Sequence, residues 1–109
     1  MQHDRRDLGR LGESVAASFL EKRGACVLAR NVEVGGGELD LVVDFAGERV
    51  VVEVRTANRQ DVAPELVSLA KESQVRRLAA MLDPPVFRID IVTVLIAAAG
   101  LRIRWTPRI

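Results

Sequence analysis

Two valine-rich segments, Glu38 to Phe45 and Glu48 to Thr56, are separated only by Ala46-Gly47. Their alternation and β-branched content predict strands, and a gap of two residues predicts an antiparallel hairpin with a tight turn. Such a turn fixes the register, because residues pair outward from it symmetrically. Asp40 then faces Glu53, and Glu38 faces Arg55. A symmetric four-residue loop keeps this register, whereas a three-residue loop shifts it by one. Alternation places Leu39, Leu41 and Val43 on one face of the first strand, with Glu38, Asp40, Val42 and Asp44 on the other. In the second strand Val50, Val52 and Val54 share a face, and Val51, Glu53 and Arg55 share the opposite one.

Acids in strands patterned for burial need a reason. Directly opposed carboxylates have Cβ atoms roughly 4.5–5.5 Å apart, and like charges there are destabilising. A proton, an arginine or a divalent metal must compensate. Oxygen ligands of this kind suit Mg²⁺ or Mn²⁺, which retain waters and accept phosphate oxygens. Such an ion activates water and polarises a phosphodiester, while Arg55 is placed to steady negative charge. The simpler alternative is a Glu38–Arg55 pair on an exposed sheet face, with Asp40 and Glu53 solvated and no function attached.

The remaining elements follow from periodicity. Leu8, Leu11, Val15, Phe19 and Leu20 mark one face of a helix over about residues 5–23, stopped by Gly24. That helix carries a third carboxylate, Glu13, and two glycines, Gly9 and Gly12. Interior helix glycines cost about 1 kcal/mol each, so a close neighbour is expected, unless the helix begins later. Ala25 to Val32 reads as a strand ending at Gly35-Gly36-Gly37. Thr56 to Ala63 reads as a loop, Pro64 opens a turn, and Ser68 is a suitable N-cap for a second helix. This helix aligns Val75, Leu78, Ala79 and Leu82 and ends before Asp83-Pro84-Pro85. Val86 to Ile96 is a long strand; Leu101 to Trp105 is a short last one, with Arg102 and Arg104 on one side and Trp105 a partial core cap. The order α-β-β-β-α-β-β describes one α/β domain over 1–109 with a mixed five-stranded sheet and a frayed end at 1–6.

Composition narrows the function classes. With 16 Lys+Arg against 15 Asp+Glu the net charge is +1, which excludes a polybasic coat and an acidic tail but not local patches. Only Lys22 and Lys71 among the cations are lysine. The single Cys26 forms no internal disulfide, and its apolar neighbours predict a buried thiol. There is no His/Cys metal cluster, and the lone His3 lies in the frayed end. Neither a signal peptide nor a membrane span is legible, so a cytoplasmic protein without membrane contact is expected.

Taken in order, several motifs resemble the bacterial YraN family. They are Gly9-x-x-Gly12-Glu13-x-x-Ala16, Arg30-Asn31, Gly37-Glu38-Leu39-Asp40-Leu41-Val42, Val52-Glu53-Val54-Arg55-Thr56, Lys71, and Arg88-Ile89-Asp90. That family consists of predicted endonucleases similar to archaeal Holliday-junction resolvases, within the PD-(D/E)xK nuclease superfamily. The resemblance implies a restriction-endonuclease-like core and Mg²⁺ or Mn²⁺ held by Glu13, Asp40, Glu53 and the Val54 carbonyl. It implies DNA as partner, branched or damaged DNA included, with Arg10, Lys71 and Arg76 at its phosphates. Arg55, Arg59 and Arg77 join these three in one candidate basic patch, although Arg76 and Arg77 also read as a solvated helix face. Arg88 and Asp90 read as structural. Similarity to resolvases also implies a homodimer. One departure touches the chemistry: Arg55 stands where the family pattern has lysine. Arginine stays charged and cannot act as a base, so the alternative function is a nucleic-acid-binding scaffold with weak or no hydrolysis.

Overall fold

A computed structural model of the chain describes residues 5–58 and 69–109. Helix α1 (Arg5–Glu21) leads into strands β1 (Ala25–Val34), β2 (Gly37–Phe45) and β3 (Glu48–Asn58). Helix α2 (Leu69–Ala80) precedes β4 (Ile89–Ala97) and β5 (Gly100–Thr106). The expected order and the five-stranded mixed sheet are both present. Strands follow one another as β1-β2-β3-β4-β5, antiparallel except for the parallel β3–β4 pair, whose crossover contains α2. Boundaries differ modestly from the sequence expectations. The first strand runs on to Val34, and β4 starts at Ile89 rather than Val86. The frayed end expected over 1–6 overlaps the helix, which is formed from Arg5. His3, Arg59, Pro64 and Ser68, with most of the expected Thr56–Ala63 loop, lie outside the described residues.

The β2–β3 turn explains the register. Ala46 and Gly47 both have positive φ, 56° and 86°, the pairing that matches the twist of a two-residue hairpin. Gly47 N donates to Asp44 Oδ1 at 3.0 Å. The ladder then runs from Phe45↔Glu48 to Leu41↔Val52 in the register read from the sequence.

The sheet separates two cores. On one face Leu41, Val43, Val50, Val52, Val92 and Val94 pack with Ala16, Ala17 and Leu20 of α1. On the other, Leu39, Val42, Val51 and Ile89 pack with Val75, Leu78 and Ala79 of α2. Leu39 corrects the expected alternation, since it lies in the second core while Leu41 lies in the first. The cause is local. Asn31 adopts φ 52°, β1 bulges between Val27 and Ala29, and no Cα pairing joins Asn31 to Asp40. Cys26 is also corrected: it is exposed. Helix α2 packs against the Gly35–Gly37 tip of the hairpin through Leu78 and Met81, and so leaves the Cys26 end of that face uncovered.

Candidate active site at a fork in the sheet

Beyond Leu41↔Val52 the β2–β3 ladder stops, and the strands part. The next backbone donor on β3, Val54 N, is taken instead by Asp40 Oδ2 at 2.8 Å. The Asp40 side chain thus bridges the gap between the two strands. In an extended strand the N–H and C=O of one residue point to the same edge and successive residues alternate. Val51 N donates to Arg88 O on the β4 side, so Val52 and Val54 present their polar groups to the β2 side. The Val54 carbonyl therefore opens into the fork beside Asp40.

Glu53 reaches the fork from the α2 face, the face of Val51. It is buried, 4% exposed. Burial, a hydrogen bond with Asp40 and the Asp40 charge push its carboxyl up to about 9, while the charges of Lys71 and Arg55 pull the other way. The two acids that the sequence opposes are therefore in contact, and Glu53 keeps its proton far above the ordinary carboxylate range. The expected Glu38–Arg55 pair is not formed, because the ladder ends before reaching it. Glu38 lies opposite Glu33 of β1.

Glu13 approaches from the α1 face. Gly12, one residue earlier, is what allows this: a Cβ built there would lie 1.8 Å from Thr56 Oγ1. The close neighbour expected from the glycines is therefore real at Gly12, whereas Gly9 faces open space. Burial raises the Glu13 carboxyl, as do the charges of Asp40 and Glu38, against the lowering charge of Arg10 and a hydrogen bond from Asn31. With its amide oriented to donate, Asn31 N lies 3.0 and 3.2 Å from the Glu13 oxygens and 3.2 Å from Glu38 Oε1. Gly9, Arg10, Glu13, Asn31 and Glu38 line a cleft of about 470 Å³. The sequence reading missed Asn31 and Glu38 as site residues. Arg30-Asn31 stood among the motifs, but nothing in the residues indicated a left-handed asparagine aimed at two acids.

The structure thus gathers Arg10, Glu13, Asp40, Glu53, Val54, Arg55 and the Lys71 charge around the fork. Arg76 is occupied elsewhere, donating to Glu72 Oε1 at 3.0 Å and to Ile109 O. Arg77 Nη1 lies 3.9 Å from Met81 Sδ. Among the described residues, no three His, Cys, Asp or Glu side chains form a group able to hold a metal ion by themselves. Glu13 and Glu53 stand on opposite faces, and Asp40 acts on both.

At the other end of the sheet Asp90 is 1% exposed and fully satisfied. It accepts from Arg88 Nε and Nη2 at 3.0 Å each, from Trp105 Nε1 at 2.9 Å and from Arg108 N at 3.0 Å. Arg88 Nη1 also donates to Glu48 Oε1 at 2.7 Å. Glu48 precedes Glu53 by five residues, about 17 Å along an extended strand. The Arg-x-Asp motif is a structural clamp.

A profile described as "Uncharacterised protein family UPF0102" matches residues 12–94. The chain belongs to UPF0102, the YraN family of the motif comparison. UPF0102 relatives include proteins of Symbiobacterium thermophilum, 38% identical over 82% of each chain, and Roseiflexus castenholzii, 40% identical over 87% of this chain and 82% of the relative. Among solved structures, Pyrococcus furiosus SfsA in complex with Ca²⁺ is 17% identical with TM-score 0.47. That match covers 95% of this chain, which spans 64% of the SfsA chain.

Proposed function

We propose that this UPF0102 protein is a divalent-metal-dependent endonuclease that hydrolyses DNA phosphodiester bonds, with branched or damaged DNA as the substrate class. The observation that supports it is the Asp40–Glu53 pair at the fork, two carboxyl groups in contact beside the Val54 carbonyl that opens into the same fork. A dication between them would relieve the repulsion of two ionised acids. The donor set is all oxygen, and Mg²⁺ is commonly bound by one or two carboxylates with retained waters, so a closed protein cage is not required. Asp40, Glu53 and the Val54 carbonyl are the residues that would hold Mg²⁺ or Mn²⁺, with Glu13 at the α1 side of the same fork. When bound, the ion polarises the phosphate and lowers the pKa of water.

The chain's own residues do the rest. Val54 N–H fixes the Asp40 carboxylate. Asn31 holds Glu13 and Glu38 together, which keeps Glu13 oriented toward the cleft. Arg55 shares the Glu53 face and neutralises negative charge on a phosphate oxygen there, but it accepts no proton. Arg10 and Lys71 flank the fork, placed to hold the flanking phosphates.

Arg55 also favours a second reading, a DNA-binding scaffold that cleaves weakly or not at all. Calorimetric titration with Mn²⁺, together with cleavage of labelled linear and four-way DNA, tests both. Asp40→Ala and Glu53→Ala are each expected to lose at least about tenfold in Mn²⁺ affinity, and their cleavage. Wild type that binds no Mn²⁺, or variants indistinguishable from it, would refute the nuclease. Arg55→Lys separates the readings: a large gain in cleavage at unchanged Mn²⁺ affinity identifies an impaired scaffold, and indifference shows that arginine serves.

A further inference from the structure

The sheet register carries Arg55 into a row that the motifs do not contain. Arg55 pairs with Thr93 of β4, and Thr93 pairs with Arg104 of β5. In the next row Ala57 pairs with Leu95, and Leu95 with Arg102. Directly paired residues share a sheet face. Val51 and Ile89, in step with Arg55 and Thr93, belong to the α2-side core, so both rows lie on the face of Glu53. Adjacent strands are about 4.8 Å apart and residues i and i+2 about 7 Å, so Arg55, Arg102 and Arg104 are spread over roughly 10 Å of one surface. Arg102 and Arg104 are exposed; Thr93 between them and Arg55 is half-buried.

Among the described residues no acid of β4 or β5 shares this face with Arg102 and Arg104. The only acid on β4 or β5 is Asp90, which lies on the other face and is consumed by Arg88, Trp105 and Arg108. Among the described residues neither Arg102 nor Arg104 forms a salt bridge. A chain of net charge +1 thus concentrates three cations beside its candidate site. Their mutual repulsion is offset when a polyanion lies across them.

We infer that Arg104 and Arg102, continuing from Arg55 past Thr93, form a phosphate-binding track that guides one DNA strand from the fork to the β5 edge. This rests on the nuclease reading for the position of the cut, but the track itself is independent of hydrolysis. Contacts of this kind hold the backbone and set its path without reading bases. Each phosphate neutralised contributes about 0.7–0.9 to the slope of log affinity against log salt.

The test is fluorescence anisotropy with labelled 30-nucleotide single-stranded and duplex DNA in EDTA, where metal-dependent cleavage is suppressed, over a salt series. Arg102→Ala/Arg104→Ala is expected to weaken binding about tenfold and to lower the salt slope by about 1.4–1.8. Arg102→Lys/Arg104→Lys is expected to retain the slope. The control is Arg23→Ala, on the α1 side with its guanidinium 3.5 Å over Phe19, expected to leave affinity unchanged. If wild type binds and the double alanine variant matches it, the track is overturned while the nuclease reading stands. If that variant self-associates in sedimentation with DNA affinity intact, the arginines guard an open strand edge instead, which also overturns the track. If wild type binds no DNA at any salt in EDTA, the track is overturned, and the nuclease reading is decided by the Mn²⁺ titration and cleavage.

Discussion

Among the described residues Glu53 carries the sharpest conflict between burial and charge, and the conflict has a direction in pH. The unfolded chain releases this proton near the ordinary 4.5, while the folded chain holds it to about 9. Between these values folding takes up a proton, so stability falls as pH rises, by at most about 1.4 kcal/mol per unit. Glu53→Gln removes the titration while keeping shape. In EDTA its melting temperature is expected to exceed that of wild type at pH 8 and to approach it at pH 5. A constant difference between the two proteins over that range would mean that Glu53 is ionised in the metal-free fold. The opposed acids were legible because a two-residue gap between Val-rich runs sets a register without any tertiary knowledge. Asn31 was not legible, since a left-handed asparagine leaves no periodic signature and its partners come from α1 and β2.

Among the elements, α1 is positioned by an absence of side chain. Gly12→Ala places a methyl group against Thr56 Oγ1 and Cβ, at 1.8 and 2.8 Å, so helix or strand must move. Overpacking of this kind costs about 1–3 kcal/mol, and chemical denaturation should register it, with part of the loss recovered when Thr56→Ala is added. Gly9→Ala is the counterpart: with open space around it, the change is expected to stabilise by up to about 1 kcal/mol. Equal effects at both positions would mean that α1 is not held by this contact. The sequence pointed to both glycines with equal force, because propensity registers the cost of a glycine but not the neighbour that requires it. Cys26 failed for a related reason. Its apolar neighbours were visible, but its exposure depends on where α2 ends, and no local pattern encodes that.

At the scale of the whole molecule, the charged clamp at Asp90 ties the start of β3 and β4 to the residues after β5. Arg88 is 12% exposed at its side chain, and its hydrogen bonds to Asp90 hold its proton even more firmly than usual. Asp90→Ala leaves that guanidinium without its main partner, and the loss of one member of a buried pair costs about 3–5 kcal/mol. Urea unfolding should show the loss, whereas Trp105→Phe, which keeps the edge-on ring contact with Phe45 and removes one hydrogen bond, should cost about 1 kcal/mol. If Asp90→Ala were as mild as Trp105→Phe, the clamp would not be what closes this end.

The two ends of the sheet are therefore secured in different ways. One is locked by a satisfied ionic cluster. At the other, the ladder between β2 and β3 gives way to a single side-chain acceptor, Asp40 on Val54 N–H. The continuity of the sheet there depends on one side-chain oxygen, and whatever binds Asp40 acts on the backbone as well as on the acid. The fork is in this sense a seam fastened by its own chemistry: a ligand that holds Asp40 and Glu53 also sews β2 to β3, and so closes the layer that keeps the two cores apart.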